Sequence, residues 1–338
     1  MGRRAVPLTA AAVAAFAAGA CWLRRVVLPP RPDKAPTAQP HLVRDPEQRP
    51  SPDGAGVTIA VNPGSGPAWT QDPTDELRAG LPQARIHRLG EDDDLAEILA
   101  DGDPQVIGAA GGDGTLSAAA AVAVERDLVL VAVPTGTFNH LARDLGLEEP
   151  ADAIAAVRAG TATRIDLGVV ELAGGSRTFV NTLSFGGYTQ IVDARERMEP
   201  RLGKWLALVV ALATQLPRMQ SLHLEVDGRP TVAWLGWIGN CAYAPDGFGP
   251  SWRERLDDGQ LDVRLVLGGR KGARLRLLLD VLTGRLRHCP FYRELKVREL
   301  DVRSPEGPLR LAVDGETIDG GTHFTISKRP RALLVAIP

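Results

Sequence analysis

Apolar residues recur along the chain in two rhythms, and the rhythm changes near residue 164. Between 56 and 163, short apolar runs at 57–61, 85–89, 106–110 and 129–133 alternate with stretches of helical spacing. These helical stretches fall near 72–79, after Asp92, Asp93 and Asp94, over 116–124, from about 138, and over 151–159. Short apolar runs bounded by turn residues predict buried strands, and their alternation with helices predicts a mostly parallel sheet covered on both faces. Asp92 to Asp94 are expected to cap the helix that follows and complement its dipole, with a metal site there the minor reading. From Arg164 onward strand-like runs dominate, at 165–172, 178–183, 222–226, 232–238, 261–267, 295–302 and 309–313, which predicts an antiparallel β domain. Two helical insertions interrupt it. One, 202–216, is nearly all apolar from Trp205; the other, 272–286, sets an apolar face among Lys271, Arg274, Arg276, Arg285 and Arg287. A last strand is expected at 331–337.

The first 55 residues follow neither rhythm. Arg3 and Arg4 precede an apolar run from Ala5 to Leu23, and Arg24 and Arg25 close it. As a helix this run is about 28 Å long, near the thickness of a bilayer's hydrocarbon core. It reads as an anchor or as a cleaved secretory signal. Basic residues after the run (Arg24, Arg25, Arg31, Lys34) outnumber those before it, which favours an anchor holding the body on the cytoplasmic side. Eight prolines between 29 and 55, with no periodic apolar pattern, predict an extended tether.

Composition sharpens the picture only slightly. A chain of 338 residues with 44% hydrophobic and 24% charged residues is long enough for two domains with real cores. A net charge of −2 gives no global attraction to nucleic acid, so any basic docking surface must be local. Cys21, Cys241 and Cys289 are few, odd in number and far apart, with neither zinc spacing nor a disulfide framework.

The chemistry concentrates where the first, third and fourth core strands end. Gly111-Gly112-Asp113-Gly114-Thr115 stands between an apolar strand and an alanine-rich helix. Glycines there let the backbone approach an anion, and the unpaired N–H groups of a helix start point at it. Asp113 adds a carboxylate where Mg²⁺ or a ribose hydroxyl would sit, and Thr115 can cap the helix or touch phosphate. Asn62-Pro63-Gly64-Ser65-Gly66 follows the first strand, and Pro134-Thr135-Gly136-Thr137-Phe138-Asn139-His140 follows the fourth. In a parallel α/β sheet such loops converge beyond the carboxyl ends of the strands, where ligands bind.

With Asp257-Asp258-Gly259-Gln260-Leu261-Asp262-Val263 and Asp314-Gly315-Glu316 downstream, the ordered set resembles the catalytic domain of diacylglycerol kinases, sphingosine kinases and bacterial lipid kinases, related in fold to NAD kinases. The likeness covers residue 56 to the end. It implies a two-domain lipid kinase fold, a parallel α/β nucleotide-binding domain followed by an antiparallel β-sandwich domain. The expected boundaries are 1–28 for the anchor or signal, 29–55 for the linker, 56–163 for the α/β domain with 325–338 returning to it, and 164–324 for the β-rich lipid-binding domain.

The resemblance also implies ATP and Mg²⁺, with a lipid alcohol as acceptor. Asn62, Pro63, Gly64, Ser65 and Gly66 would line one side of the phosphates; Gly111, Gly112, Asp113, Gly114, Thr115, Leu116 and Ser117 the other; and Gly136, Thr137 and Asn139 would reach in from the third loop. Glu316 first, and Asp314 second, would accept the proton of the lipid hydroxyl, with Asp166 as support or as a strand cap. Asp113 would carry the catalytic cation. Asp258, with backbone oxygens near Arg255 and Gln260, would form a structural Mg²⁺ loop, the alternative being an ordinary Asp-Gly hairpin. The helices at 202–216 and 272–286 would form a membrane-facing rim, or respectively pack a core and face solvent. The resemblance leaves a homodimer open.

His140 stands where many relatives carry Asp, and residues 239–249 lack a glycine triplet often seen there, which leaves acceptor identity open. Two other readings stay alive: a kinase of the NAD kinase type acting on a soluble substrate, and a lipid- or nucleotide-binding protein without turnover.

Overall fold

The computed structural model describes residues 51–63, 72–135, 139–244, 252–283 and 285–337. The apolar run at 5–23, most of the proline-rich linker, and Gly64, Ser65, Gly66, Gly136 and Thr137 lie outside the described residues. Among the described residues no helix is long and apolar enough to cross a membrane.

The first lobe is the expected parallel sheet. β1 (Val57–Val61) pairs with β2 (Arg85–Arg88) on one side and β3 (Val106–Gly111) on the other, and β4 (Val129–Pro134) lies beyond β3, all parallel. Helices α1 (Thr74–Gly80), α2 (Leu95–Ala100), α3 (Asp113–Arg126), α4 (His140–Asp144) and α5 (Pro150–Ala159) connect and follow them. β1 and β4 are buried at every position, and β3 at all but its first, as a sheet covered on both faces requires. Asp94 caps α2 as expected, its carboxylate accepting from the N–H groups of Ala96 at 2.7 Å and Glu97 at 3.2 Å.

The second lobe is antiparallel. Its strands are β5 (Ala162–Leu172), β6 (Gly175–Phe179), β7 (Thr182–Gly186), β8 (Leu222–Val226), β9 (Arg229–Asn240), β10 (Tyr243–Ala244), β11 (Trp252–Arg253), β12 (Leu261–Leu267), β13 (Tyr292–Val297), β14 (Glu299–Arg303), β15 (Arg310–Val313), β16 (Glu316–Asp319) and β17 (His323–Ala336). Most of these strands fold around one apolar core containing Leu183, Phe185, Ile238, Val263, Leu311 and Phe324. Two glycines make room for its largest side chains. A Cβ on Gly168 would stand 2.1 Å from the Phe179 ring, and one on Gly236 would stand 2.2 Å from the Phe185 ring. α6 (Tyr188–Gln215) and α7 (Ala273–Leu282) pack outside, on a satellite core with Trp234, Leu235 and Val266.

Two long strands join the lobes. β17 runs antiparallel to β5 from Thr325 opposite Glu171 to Ala336 opposite Ala162, with a register shift between Arg329 and Leu333. Its end then pairs parallel with β4, Leu334 opposite Val129. The final strand therefore rejoins the first lobe as expected, but it starts earlier, because its first half belongs to the sandwich.

Further elements differ from the periodicity reading. The run at 178–183 breaks at Val180 and Asn181, whose N–H groups turn to the Asp314 carboxylate. The run at 295–302 divides into β13, which pairs with β12, and β14, which pairs with β8 and β17. α6 begins at Tyr188 rather than 202, because its first half carries charges that mask the apolar spacing.

Candidate active site

The GGDGT stretch forms the junction of β3 and α3. Gly112 is the N-cap, in extended conformation, and has no side chain with which to cap the helix. Asp113, Gly114 and Thr115 therefore make the first turn, where N–H groups lack intrahelical acceptors. α3 has 14 residues, so this end carries a full helix dipole. Among the described residues a Cβ on Gly112 would meet nothing within 4 Å. Asn62, at the end of β1, donates from its side-chain amide to the Thr115 hydroxyl at 3.3 Å, so the first loop touches the second. The Thr135 hydroxyl, at the carboxyl end of β4, is buried with no hydrogen-bond partner among the described residues.

Across from this turn stands the β15–β16 hairpin. Asp314 and Gly315 form its two-residue turn, both at positive φ (45° and 93°), and Val313 faces Glu316 across the ladder. The hairpin reading of Asp-Gly and the site reading are thus both true of one segment. A cleft of about 380 Å³ separates the two walls, lined by Asp113, Gly114, His140, Asn181, Thr182, Asp314, Gly315 and Glu316. A Cβ on Gly114 would lie 3.5 Å from the Glu316 Oε1, so the carboxylate stands directly opposite the first turn of α3.

The acids in this region do different work. Glu316 is half exposed and pairs with Arg177 of β6. Asp314 is buried, and its carboxylate accepts from the N–H groups of Val180 (2.7 Å), Asn181 (2.9 Å) and Thr182 (2.7 Å), with the Ser117 hydroxyl as a further donor. Burial pushes its pKa above the ordinary carboxylate value against the pull of those donors. A carboxylate so fully engaged ties the hairpin to β7 and α3, which leaves Glu316 as the acid open to a ligand. Asp113 is largely buried, and burial pushes its pKa up as well. The His140 N–H, the charge of Arg253 and the Asn181 amide (3.1 Å) pull it back. A desolvated carboxylate of this kind gains strongly from a cation placed beside it.

Asp166 sits elsewhere. It is buried at the junction of the lobes, where its carboxylate accepts from the Arg331 and Gly259 N–H groups, both at 2.8 Å, with the Lys328 ammonium at 3.4 Å. It is not among the cleft-lining residues, and its bonds hold the register shift of β17 in place. The Asp258 carboxylate accepts from Ala242 N (2.7 Å) and Gln260 N (2.8 Å), and the Gln260 carbonyl accepts from Cys241 N at 3.0 Å. The Arg255 side chain pairs with Asp257. A Mg²⁺ ion here would have to share Asp258 with two backbone donors, close to the buried charge of Lys328. Leu116 is a correction: its side chain lies in the first-lobe core and its N–H donates to Gly112 at 3.1 Å, so it offers nothing to a phosphate. Ser117 is committed to Asp314, Pro63 is exposed at the end of β1, and Asn139 holds the left-handed position before α4 (φ 48°).

Four residues that matter here escaped the sequence reading. Asn181 bridges Asp113 to the buried Arg253, which donates to the Asn181 side-chain oxygen at 3.0 Å. Arg253 also pairs with Asp144 of α4 at 2.7 Å. Arg177 holds Glu316. Only Asn181 gave a signal, as an amide inside an apolar strand run, where such residues are depleted.

Cys241 and Cys289 are buried, and burial pushes the Cys241 thiol up to about 12. Neither is expected to react with iodoacetamide in the native protein at mildly alkaline pH, and both are expected to react after denaturation. Mass spectrometry of the labelled chain checks this; rapid native labelling of Cys241 would mean that the lobe junction opens.

A parallel lobe, an antiparallel sandwich and an acid-lined cleft facing a glycine-led helix start define a two-lobed fold of the lipid-kinase class. Residues 56–170 match the family described as diacylglycerol kinase catalytic domain, and residues 186–337 match the YegS C-terminal NAD kinase beta sandwich-like domain. A relative from Stenotrophomonas maltophilia, named "Probable lipid kinase YegS-like", is 32% identical over 276 residues, covering 76% of this chain and 87% of that protein. One of the same name from Pseudomonas aeruginosa is 34% identical over 256 residues, covering 72% and 80%. Solved structures from Bacillus anthracis strain Sterne share the fold. One superposes with a TM-score of 0.62 at 21% identity, over 83% of this chain and 97% of its own. Another, described as a diacylglycerol kinase, does so at 0.56 and 17%, over 83% and 96%. The chain belongs to the diacylglycerol kinase catalytic-domain family and, within it, to the YegS-like lipid kinases.

Proposed function

We propose that the protein transfers the terminal phosphoryl group of ATP to the hydroxyl of a lipid alcohol, diacylglycerol or a sphingoid-like lipid. The observation that carries this reading is the placement of Glu316 opposite the glycine-led start of α3, with Asp113 in the same cleft. Phosphoryl transfer needs positioning and charge stabilisation more than covalent chemistry from the protein. The first-turn N–H groups of α3 hold the phosphates, and Asn62 supports them through Thr115. Glu316 accepts the proton of the acceptor hydroxyl, and Arg177 orients it. Asp113 is the residue to hold Mg²⁺, which when bound would offset the charge on the phosphoryl oxygens. ATP as donor places the body on the cytoplasmic side of the membrane, with residues 5–23 as its tether.

The test incubates the full chain with labelled ATP, Mg²⁺ and a panel of lipid alcohols, with NAD as a soluble comparison. Label is expected on one lipid class, and Asp113→Ala is expected to abolish it. NAD phosphorylation with every lipid inert would establish the soluble-substrate alternative. ATP binding with no transfer to anything would establish a non-catalytic relative.

A further inference from the structure

We propose that the outer face of α7 docks on an anionic bilayer, with Leu275 and Leu279 entering the acyl region and the surrounding cations meeting lipid phosphates. The helix is amphipathic in an unusual way. Ala273, Leu277 and Val281 are buried on the satellite core with Trp234, Leu235 and Val266, so the packing requirement of the helix is already met. On its other side Leu275 is 62% exposed and Leu279 48%. At spacing i, i+4 these two side chains lie one above the other on the same surface.

The charge along this segment is mostly positive. Arg270, Lys271, Arg274, Arg276, Arg285 and Arg287 are all exposed, against a single acid, Asp280, which is buried and accepts from Arg276 at 2.7 Å. Six cations against one acid in 18 residues stand out in a chain whose net charge is −2. Arg274 is fixed by a bond to the Met219 carbonyl (2.9 Å) and by stacking on Trp234, so the rim is partly preformed.

Leucines flanked by arginines match the layered chemistry of a membrane interface, apolar below and anionic at the headgroups. Arginine and lysine stems can lie along the apolar layer while their heads stay with phosphate. This docking is a second attachment, separate from residues 5–23. It does not depend on which lipid is phosphorylated, because it is read by binding rather than by transfer.

The experiment uses the full chain carrying Leu279→Cys on a Cys21→Ser background, labelled with an environment-sensitive fluorophore; Cys241 and Cys289 are buried. Vesicles of mixed phosphatidylglycerol and phosphatidylcholine are expected to shift the emission to the blue, and vesicles of phosphatidylcholine alone to do so weakly. Reversing Lys271 and Arg285 to Glu is expected to weaken the response to anionic vesicles by about tenfold or more, judged by the lipid concentration at half-change. An unshifted probe in the presence of sedimenting vesicle-bound protein would show that the N-terminal segment alone binds, and would overturn the proposal. Equal shifts on neutral and anionic vesicles, or an unaltered response in the charge-reversed variant, would also overturn it. Circular dichroism of both variants confirms that the fold is retained.

Discussion

Glu316→Gln is expected to lower the rate of phosphoryl transfer by about 10²–10⁴-fold, the usual contribution of a positioned general base. The substitution keeps the size of the side chain and a hydrogen-bond acceptor for Arg177, but removes the site that takes the proton. Nucleotide affinity should not change, because the groups proposed to hold phosphate belong to the opposite wall, at the start of α3. Single-turnover transfer with saturating ATP, alongside calorimetric titration of the nucleotide, separates the two effects. A transfer rate within about threefold of wild type would remove Glu316 as the base. An equal loss of nucleotide binding would make it a binding residue instead.

Arg253→Met is expected to cost about 3–5 kcal/mol of stability, the range for leaving one partner of a buried ion pair alone. Arg253 is 1% exposed and joins parts of the chain that have little else in common. It pairs with Asp144 at the end of α4, and donates to the carbonyls of Val180 (2.7 Å) and Asn240 (3.3 Å) and to the Asn181 side chain. Its guanidinium lies 5.2 Å from the centre of the Tyr243 ring. Methionine fills much of the space but takes the guanidinium away from the Asp144 carboxylate, itself 3% exposed. The melting temperature should fall on the order of 10 °C, given a few degrees per kcal/mol for domains of this size. Replacing both partners, Arg253→Met with Asp144→Leu, should recover part of the loss, because no charge is then left unpaired. If the single variant melts with wild type, the junction does not depend on this pair.

The first lobe was nearly complete in the sequence. Its strands are short, apolar and separated by helices of clear period, so each element announces itself within a few residues. The site was half legible. Asp113 and Glu316 were singled out through motifs that carry the family resemblance, and the fold puts both on the wall of one cleft. Asp314 and Asp166 stood beside them as candidate acids, and Asp258 as a candidate metal ligand. The fold commits each of them to backbone N–H groups, and nothing in their local sequence tells a spent carboxylate from an open one. Leu116 was misread for a related reason: the motif continues through it while its side chain turns inward.

Local periodicity and glycine placement therefore determined the order of the elements, the parallel lobe, and the turn suited to phosphate. Tertiary structure alone decided which acids face the cleft and which residues hold them there. Arg177 reaches Glu316 across 139 positions, Asn181 reaches Asp113 across 68, and Arg253 reaches Asn181 across 72. Such partners share no sequence pattern. A carboxylate's role is set by whichever donors the folded chain brings to it, and that becomes fixed only when both lobes have closed around the junction.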